Sequence, residues 1–358
     1  MWGPYCPVVD YSRALDGVRR LCEADLEARA LRVQVLQEIG RVVGFDGYAW
    51  LLTDPLTWVG VAPLADVAWL RVLPRHIQLK YGTAVNRWTG LGSTHVALLH
   101  AETGGDLAQS LLWRDLLQDH GVGDVASLVF PDQHGCWGFL ELFRDSVRGP
   151  YTAAEAAFLA DLVPPLTRAL RRSQANCFVT AVQQERTHAG PVVLLLSPEL
   201  QVLGQTPDAL AYLRILVPSA ENRSPIPAGV YNVAAQLLAV EAGVDFHPAT
   251  ARVHLSDGVW VTLRAARIES VDEAERQHIA VTIEESSPSE RLDLFARAFG
   301  FSARETELLE HLARGSDTKA LASQLFLSQH TVQDHLKSIF DKTATRTRPG
   351  LLSRALGT

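Results

Sequence analysis

The twenty residues from Leu321 to Phe340, LASQLFLSQHTVQDHLKSIF, constrain this chain more than any other stretch. A short amphipathic segment stops at Phe326-Leu327. Ser328 follows with the side chain of a helix N-cap, and a second amphipathic segment begins at once. On a helical wheel of about 100° per residue, Val332, Leu336, Ile339 and Phe340 gather on one side. His330, Asp334, Lys337 and Asp341 point the other way, with Gln333 at the edge. An apolar stripe opposite a row of hydrogen-bonding side chains is what a helix needs in order to pack on one face and read base edges with the other. The flanks carry their own signals. Ser302-Ala-Arg-Glu305 is a capping box that predicts a helix through Leu312 with its stop at Gly315. Asp317 caps a helix over 318–326, and Ser328 caps a third over 329–342.

The chain of 358 residues has a formal net charge of −7, which taken alone opposes binding to DNA. The charge is unevenly spread. From Leu294 onward there are nine Lys and Arg against six Asp and Glu, a net of +3, while the remainder holds 24 against 34, a net of −10. A large acidic body with a small basic end suits nucleic-acid contact confined to that end. Its basic flank is Lys342, Arg346, Arg348 and Arg354.

These residues resemble the LuxR-type (GerE-like) helix-turn-helix family. The matching positions are the Ser302…Glu305 opening with Leu308-Leu309, then Gly315, Lys319, Leu321-Ala322 and Leu325. Ser328, Thr331-Val332, His335-Leu336, Arg346-Thr347-Arg348 and Leu351-Leu352 continue the match. The resemblance implies that the third helix enters the major groove of double-stranded DNA, with Lys319 and Thr331 near phosphates and Gln333, Asp334 and Lys337 near bases. Ser328, His330, Lys342, Arg346 and Arg348 complete the expected contact set. The final helix, 348–356, is expected to support a homodimer through Leu351, Leu352 and Ala355. Asp334 departs from the family habit of a neutral or basic side chain. A carboxylate there suits a cytosine amino group or a position away from the phosphates. The alternative for the three helices is a protein-binding adaptor acting on RNA polymerase or another regulator.

Upstream, the periodicities predict an α+β plan. A helix is expected over 23–44, strands at 45–54 and 57–64, a helix at 107–120, and two strands around a His-Gly turn at 124–145. Thr152 and Glu155 form a capping box for a long helix in which Pro164 and Pro165 should make a kink. From Gly190, two short strands, a Pro-led helix at 207–216, a helix at 230–243, a hairpin around Asp257-Gly258 and a last strand at 278–285 form a second α+β unit. Ser287-Pro288 opens one more helix, with Leu292, Phe295 and Phe299 on one side. By element order, residues 1–175 resemble a GAF domain and 190–286 a PAS domain. A linker helix at 287–299 and a LuxR-type helix-turn-helix domain at 300–358 complete the expected order. The fold class expected is α+β sensor domains followed by an all-α helix-turn-helix domain.

Motifs for chemistry are missing. There is no G-x-x-x-x-G-K-[ST] loop, no H-E-x-x-H and no G-x-S-x-G. His95 and His100 do not share a helical face, and the cysteines form no C-x-x-C pair. The reading is therefore a non-enzyme with no cofactor and no metal. No apolar run reaches the roughly 18 residues of a membrane span, and the N-terminus shows no secretion signal, so a cytoplasmic protein is expected and the Asn222-Arg223-Ser224 sequon is incidental. Tryptophans crowd the first unit. Most belong to a core, and Trp50 and Trp137 are the candidates for an aromatic-walled pocket holding an unknown small molecule.

Overall fold

A computed structural model describes residues 10–91, 93, 95–178, 192–209, 228–255, 259–268 and 277–357. The Asp257-Gly258 turn, the expected 207–216 helix beyond Ala209 and the Asn222-Arg223-Ser224 sequon lie outside these residues. Two five-stranded antiparallel sheets precede a helical C-terminal region. The first sheet holds β1 (Gly47–Thr53), β2 (Gly60–Asp66), β3 (Val96–Leu98), β4 (Val122–Asp132) and β5 (Gly135–Asp145) in the order β2-β1-β5-β4-β3. The second holds β6 (Val192–Leu196), β7 (Val202–Gln205), β8 (Thr250–His254), β9 (Trp260–Arg267) and β10 (Ile279–Glu285) in the order β7-β6-β10-β9-β8. Numbered within each unit, both sheets run second, first, fifth, fourth, third.

Side-chain alternation splits the first sheet into two faces. Trp50, Leu128, Leu140 and Leu142 point toward α1 (Tyr11–Glu23), α2 (Ala28–Gly40) and α6 (Ala153–Asn176) and form a closed core with them. The helix expected over 23–44 is α2 alone, beginning at Ala28 and ending at Gly40, and α1 is a separate helix that precedes it. Ala24 is extended, with ψ 146°, and α1 has its own N-cap in Asp10, whose side chain accepts from the Arg13 amide. The α6 capping box is present, and both prolines lie inside one 24-residue helix. The helix expected over 107–120 is instead α5 (Leu111–Asp115) between two 3-10 turns, because Ser110 ends the first turn and caps α5 from the Trp113 amide. The single-turn α4 is Leu99–Glu102.

The other face of the first sheet meets α3 (Leu73–Gly82), and the second unit joins it there. Its helix α7 (Ala228–Glu241) packs on α3 and on β2. The approach is close at Gly60, whose carbonyl accepts from Asn232 Nδ2 at 2.8 Å and whose amide donates to the Tyr81 hydroxyl at 3.0 Å. A Cβ at Gly60 would come within 2.6 Å of Leu51. Buried ion pairs join the units further. Arg87 donates to Asp245 at 2.6 Å, and Arg252 donates to both oxygens of Asp54, at 2.7 and 2.8 Å. Burial would raise the Asp54 pKa, but the Arg252 guanidinium outweighs it and holds the carboxyl below its ordinary value.

The C-terminal region is α8 (Pro288–Ala298), α9 (Ala303–Ala313), α10 (Thr318–Gln324), α11 (Gln329–Thr343) and α12 (Arg348–Leu356). Helix α8 is held by both sheet units. Arg252 donates to Asp293 at 2.7 Å, and Arg297 donates to the His134 carbonyl in the β4–β5 turn at 3.0 Å. The apolar core continues from α6 through Phe178 and Phe295 into the terminal helices. Among the described residues, no helix is long and apolar enough to cross a membrane.

Candidate nucleic-acid interface

Local sequence sets each terminal helix. Ser302 accepts from the Glu305 amide, Asp317 from the Ala320 amide and Ser328 from the Thr331 amide, so all three expected N-caps form. The turn between α10 and α11 places Phe326 at φ +54°, in the left-handed region, with its ring exposed. Val332 and Ile339 are fully buried, Leu336 nearly so, and Phe340 lies half-buried beside them.

One buried carboxylate fixes α9 against α11. Glu305 accepts from the Ser302 amide at 2.7 Å, from Ser338 Oγ at 2.6 Å and from Lys342 Nζ at 2.7 Å. Burial pushes its pKa up, but the Lys342 ammonium and the Ser338 hydroxyl prevail and hold it at about 2. This contribution is complete above the ordinary carboxylate range and is lost as pH falls toward 2.

The opposite face of α11 is open. Ser328, His330, Gln333, Asp334 and Lys337 are exposed, and Thr331 is half-buried with its hydroxyl 2.8 Å from Ser328 Oγ. Gln333 and Lys337, together with Lys319 on α10 and Arg346 before α12, are not engaged in any side-chain hydrogen bond or ion pair among the described residues. Asp334 lies 3.7 Å from His330 Nε2, one helical turn back. The other expected basic contacts are partly committed within the protein. Lys342 also donates to the Gly300 carbonyl at 3.0 Å, and Arg348 donates to Thr318 Oγ1 at 2.6 Å, tying α12 to α10. Arg354 donates to the Phe178 and Thr343 carbonyls.

On α12 the expected dimer residues divide. Leu351 and Ala355 are fully buried inside the chain, where the helix packs on α8, while Leu352 keeps some surface. A wheel shows that Leu351 and Ala355 share a face, but not which partner covers it. Trp50 and Trp137, the candidate pocket walls, are core residues in this structure. Both are fully buried on the helix-covered face of the first sheet, where Trp50 stacks on Phe130 at 5.6 Å between centroids. A cavity of this unit lies on the opposite face, lined by Ala49, Ala65, His76, Lys80, Glu141 and Asn232 among others. Small alanines at strand positions were its only mark in the sequence. Cys136 is fully buried, and burial pushes its thiol up to about 11, so it stays protonated at neutral pH. Among the described residues, no group of three or more His, Cys, Asp or Glu side chains could hold a metal ion.

Comparison with known proteins fits the geometry of the C-terminal region. Residues 300–355 match the family model of GerE, bacterial regulatory proteins of the luxR family. This segment is a LuxR-family helix-turn-helix domain, and such a domain implies a DNA-binding transcription regulator. No curated protein matches the chain. The crystal structure of Escherichia coli SdiA aligns over 97% of this chain and 97% of its own, with 13% identity and a TM-score of 0.35, too slight a likeness to carry an argument.

Proposed function

We propose that the chain is a homodimeric, cytoplasmic regulator whose helix α11 reads the major groove of double-stranded DNA under the control of a ligand or partner bound upstream. In this reading Lys319, Thr331 and Arg346 meet phosphates, and Gln333, Asp334 and Lys337 meet base edges. The observation that carries it is the two-sidedness of α11. Val332 and Ile339 have no exposed surface, while Gln333 and Lys337 are exposed with their donors unclaimed. An adaptor on RNA polymerase would call for an apolar docking face, and the outward face of α11 is polar.

The two sheet units are read as GAF-like (1–175) and PAS-like (190–286), with 287–299 as the linker helix and 300–358 as the DNA-binding domain. Their shared strand order supports two related sensor folds. Control is proposed to run through α8, since Asp293 and Arg297 tie it to the second and first units respectively. A shift in either unit changes the pose of the helix that leads into the DNA-binding domain. Of the proposed dimer residues on α12, Leu352 is the one with surface to offer a second copy. Full-length protein should enrich a near-palindromic site from a random duplex library, with affinity falling steeply as salt rises. Absence of enrichment, or affinity indifferent to salt, would overturn the reading.

A further inference from the structure

A cavity of about 210 Å³ lies between the first sheet and α3, and the first turns of α7 close one side of it. Residue size explains why it is there. Ala49 on β1, Ala65 on β2 and Ala228 on α7 stand where branched side chains would fill the space, and Ile77 of α3 roofs it. Helix α3 turns His76 and Lys80, one turn apart, into the same space.

Its polar groups are few and specific. Lys80 Nζ meets Glu141 Oε1 at 2.5 Å and donates to the Asn86 carbonyl at 3.0 Å, so the buried pair is neutral as a unit. His76 Nδ1 accepts from Trp69 Nε1, which leaves the proton of the neutral ring on Nε2. Asn232, 1% exposed, uses Nδ2 on the Gly60 carbonyl, while its Oδ1 is buried with no partner. A buried carbonyl oxygen without a donor is costly. Oδ1 has essentially no accessible surface, so a ligand reaches it only as the amide turns toward the cavity, and a donor supplied there removes the cost. A charged ligand would instead bring an uncompensated charge into a mostly apolar pocket.

We propose that this cavity binds a small, uncharged, mostly apolar molecule that donates an N–H or O–H to Asn232 Oδ1, thereby clamping α7 of the second unit onto the first sheet. The proposal rests on the reading of the chain as a ligand-controlled regulator and names the site and class of ligand. An apolar cavity of roughly 150 Å³ accepts benzene, so this one has room for a fused-ring molecule of the size of indole.

The test titrates full-length protein with indole, 1-methylindole and indole-3-carboxylate, followed by calorimetry. Indole should bind saturably at one site per chain, 1-methylindole about tenfold more weakly for want of one hydrogen bond, and the carboxylate not at all. Asn232→Leu should bring indole down to the level of 1-methylindole. Ala65→Leu, or Ala228→Leu if the first variant unfolds, should abolish binding by filling the space. Failure of indole to bind saturably, binding that survives both filling variants, or a preference for the carboxylate would each overturn the proposal. A duplex-DNA titration on the same samples separates the two readings. DNA binding without indole binding removes this site and leaves the regulator standing. Indole binding that leaves DNA affinity unchanged keeps the site and removes ligand control.

Discussion

In the two sheet units the principal cations are buried and matched. Arg252 sits between Asp54 and Asp293, Arg87 grips Asp245, and Lys80 meets Glu141. Three cations of the terminal helical region show the opposite, beside others such as Lys342 that are paired. Lys319, Lys337 and Arg346 are exposed and matched to nothing among the described residues. The difference separates charges that hold a structure from charges that await a partner. A buried charge needs compensation within the chain, from a counterion as here or from carbonyl oxygens as at Arg32, because leaving it alone costs several kcal/mol. The Arg252 and Arg87 pairs pin one unit to the next. An exposed lysine costs almost nothing to carry, and its worth appears only when a phosphate or base edge arrives.

The strongest attack on this contrast is Arg252→Met, which leaves Asp54 buried without its cation. It should cost about 3–5 kcal/mol in urea unfolding. Asp54→Leu added to it should recover only part of the loss, because the backbone amides of Leu56, Thr57 and residue 252 then lose their acceptor. A loss under about 1 kcal/mol would place Arg252 among ordinary surface pairs and erase the distinction. Next comes acid. Burial lowers the His76 pKa to about 4 from its ordinary value near 6.5. Between those values the unfolded chain binds a proton that the folded chain refuses, so stability falls as pH drops, by up to roughly 3 kcal/mol. His76→Gln should flatten that part of the stability–pH curve, and an unchanged slope would show that His76 is not held neutral.

Lys337→Ala tests the other side of the contrast. Specific DNA affinity should fall by about 1–3 kcal/mol if the side chain reads guanine, with folding stability moved by no more than about 0.5 kcal/mol. Paired anisotropy and unfolding measurements would reveal the reverse pattern, which would make Lys337 a structural residue. The smallest effects belong to Lys319→Ala and Arg346→Ala. Each should lower the salt-dependence slope by about 0.9 with sequence preference intact. A changed preference would move that residue from phosphate to base contact.

Much of this molecule was legible before any coordinates. The three N-caps at Ser302, Asp317 and Ser328 formed as expected, because a cap bonds an amide three residues on and depends on little else. The β4–β5 and β8–β9 hairpins likewise pair as alternation suggested. Helix α1 went unread and the helix expected from 23 was started too early, since the interruption at Ala24–Glu27 carries no Gly or Pro to announce it. The packing of Trp50 and Trp137 inside a core was not legible, because abundance of aromatic residues says nothing about which sheet face each one takes.

The sequence alone determined the local code: helix periods, caps, turns and the polar outward row of α11, all set by residues within about one or two turns of each other. Tertiary structure decided the rest. Arg252 finds Asp54 across 198 positions of chain, and the cavity beside Glu141 exists because three alanines from distant segments converge. Leu351 and Ala355 turn inward because α8 lies against α12. Contacts of that span depend on how whole sheets and helices pack, and packing is a property of shapes brought together rather than of spacing along the chain.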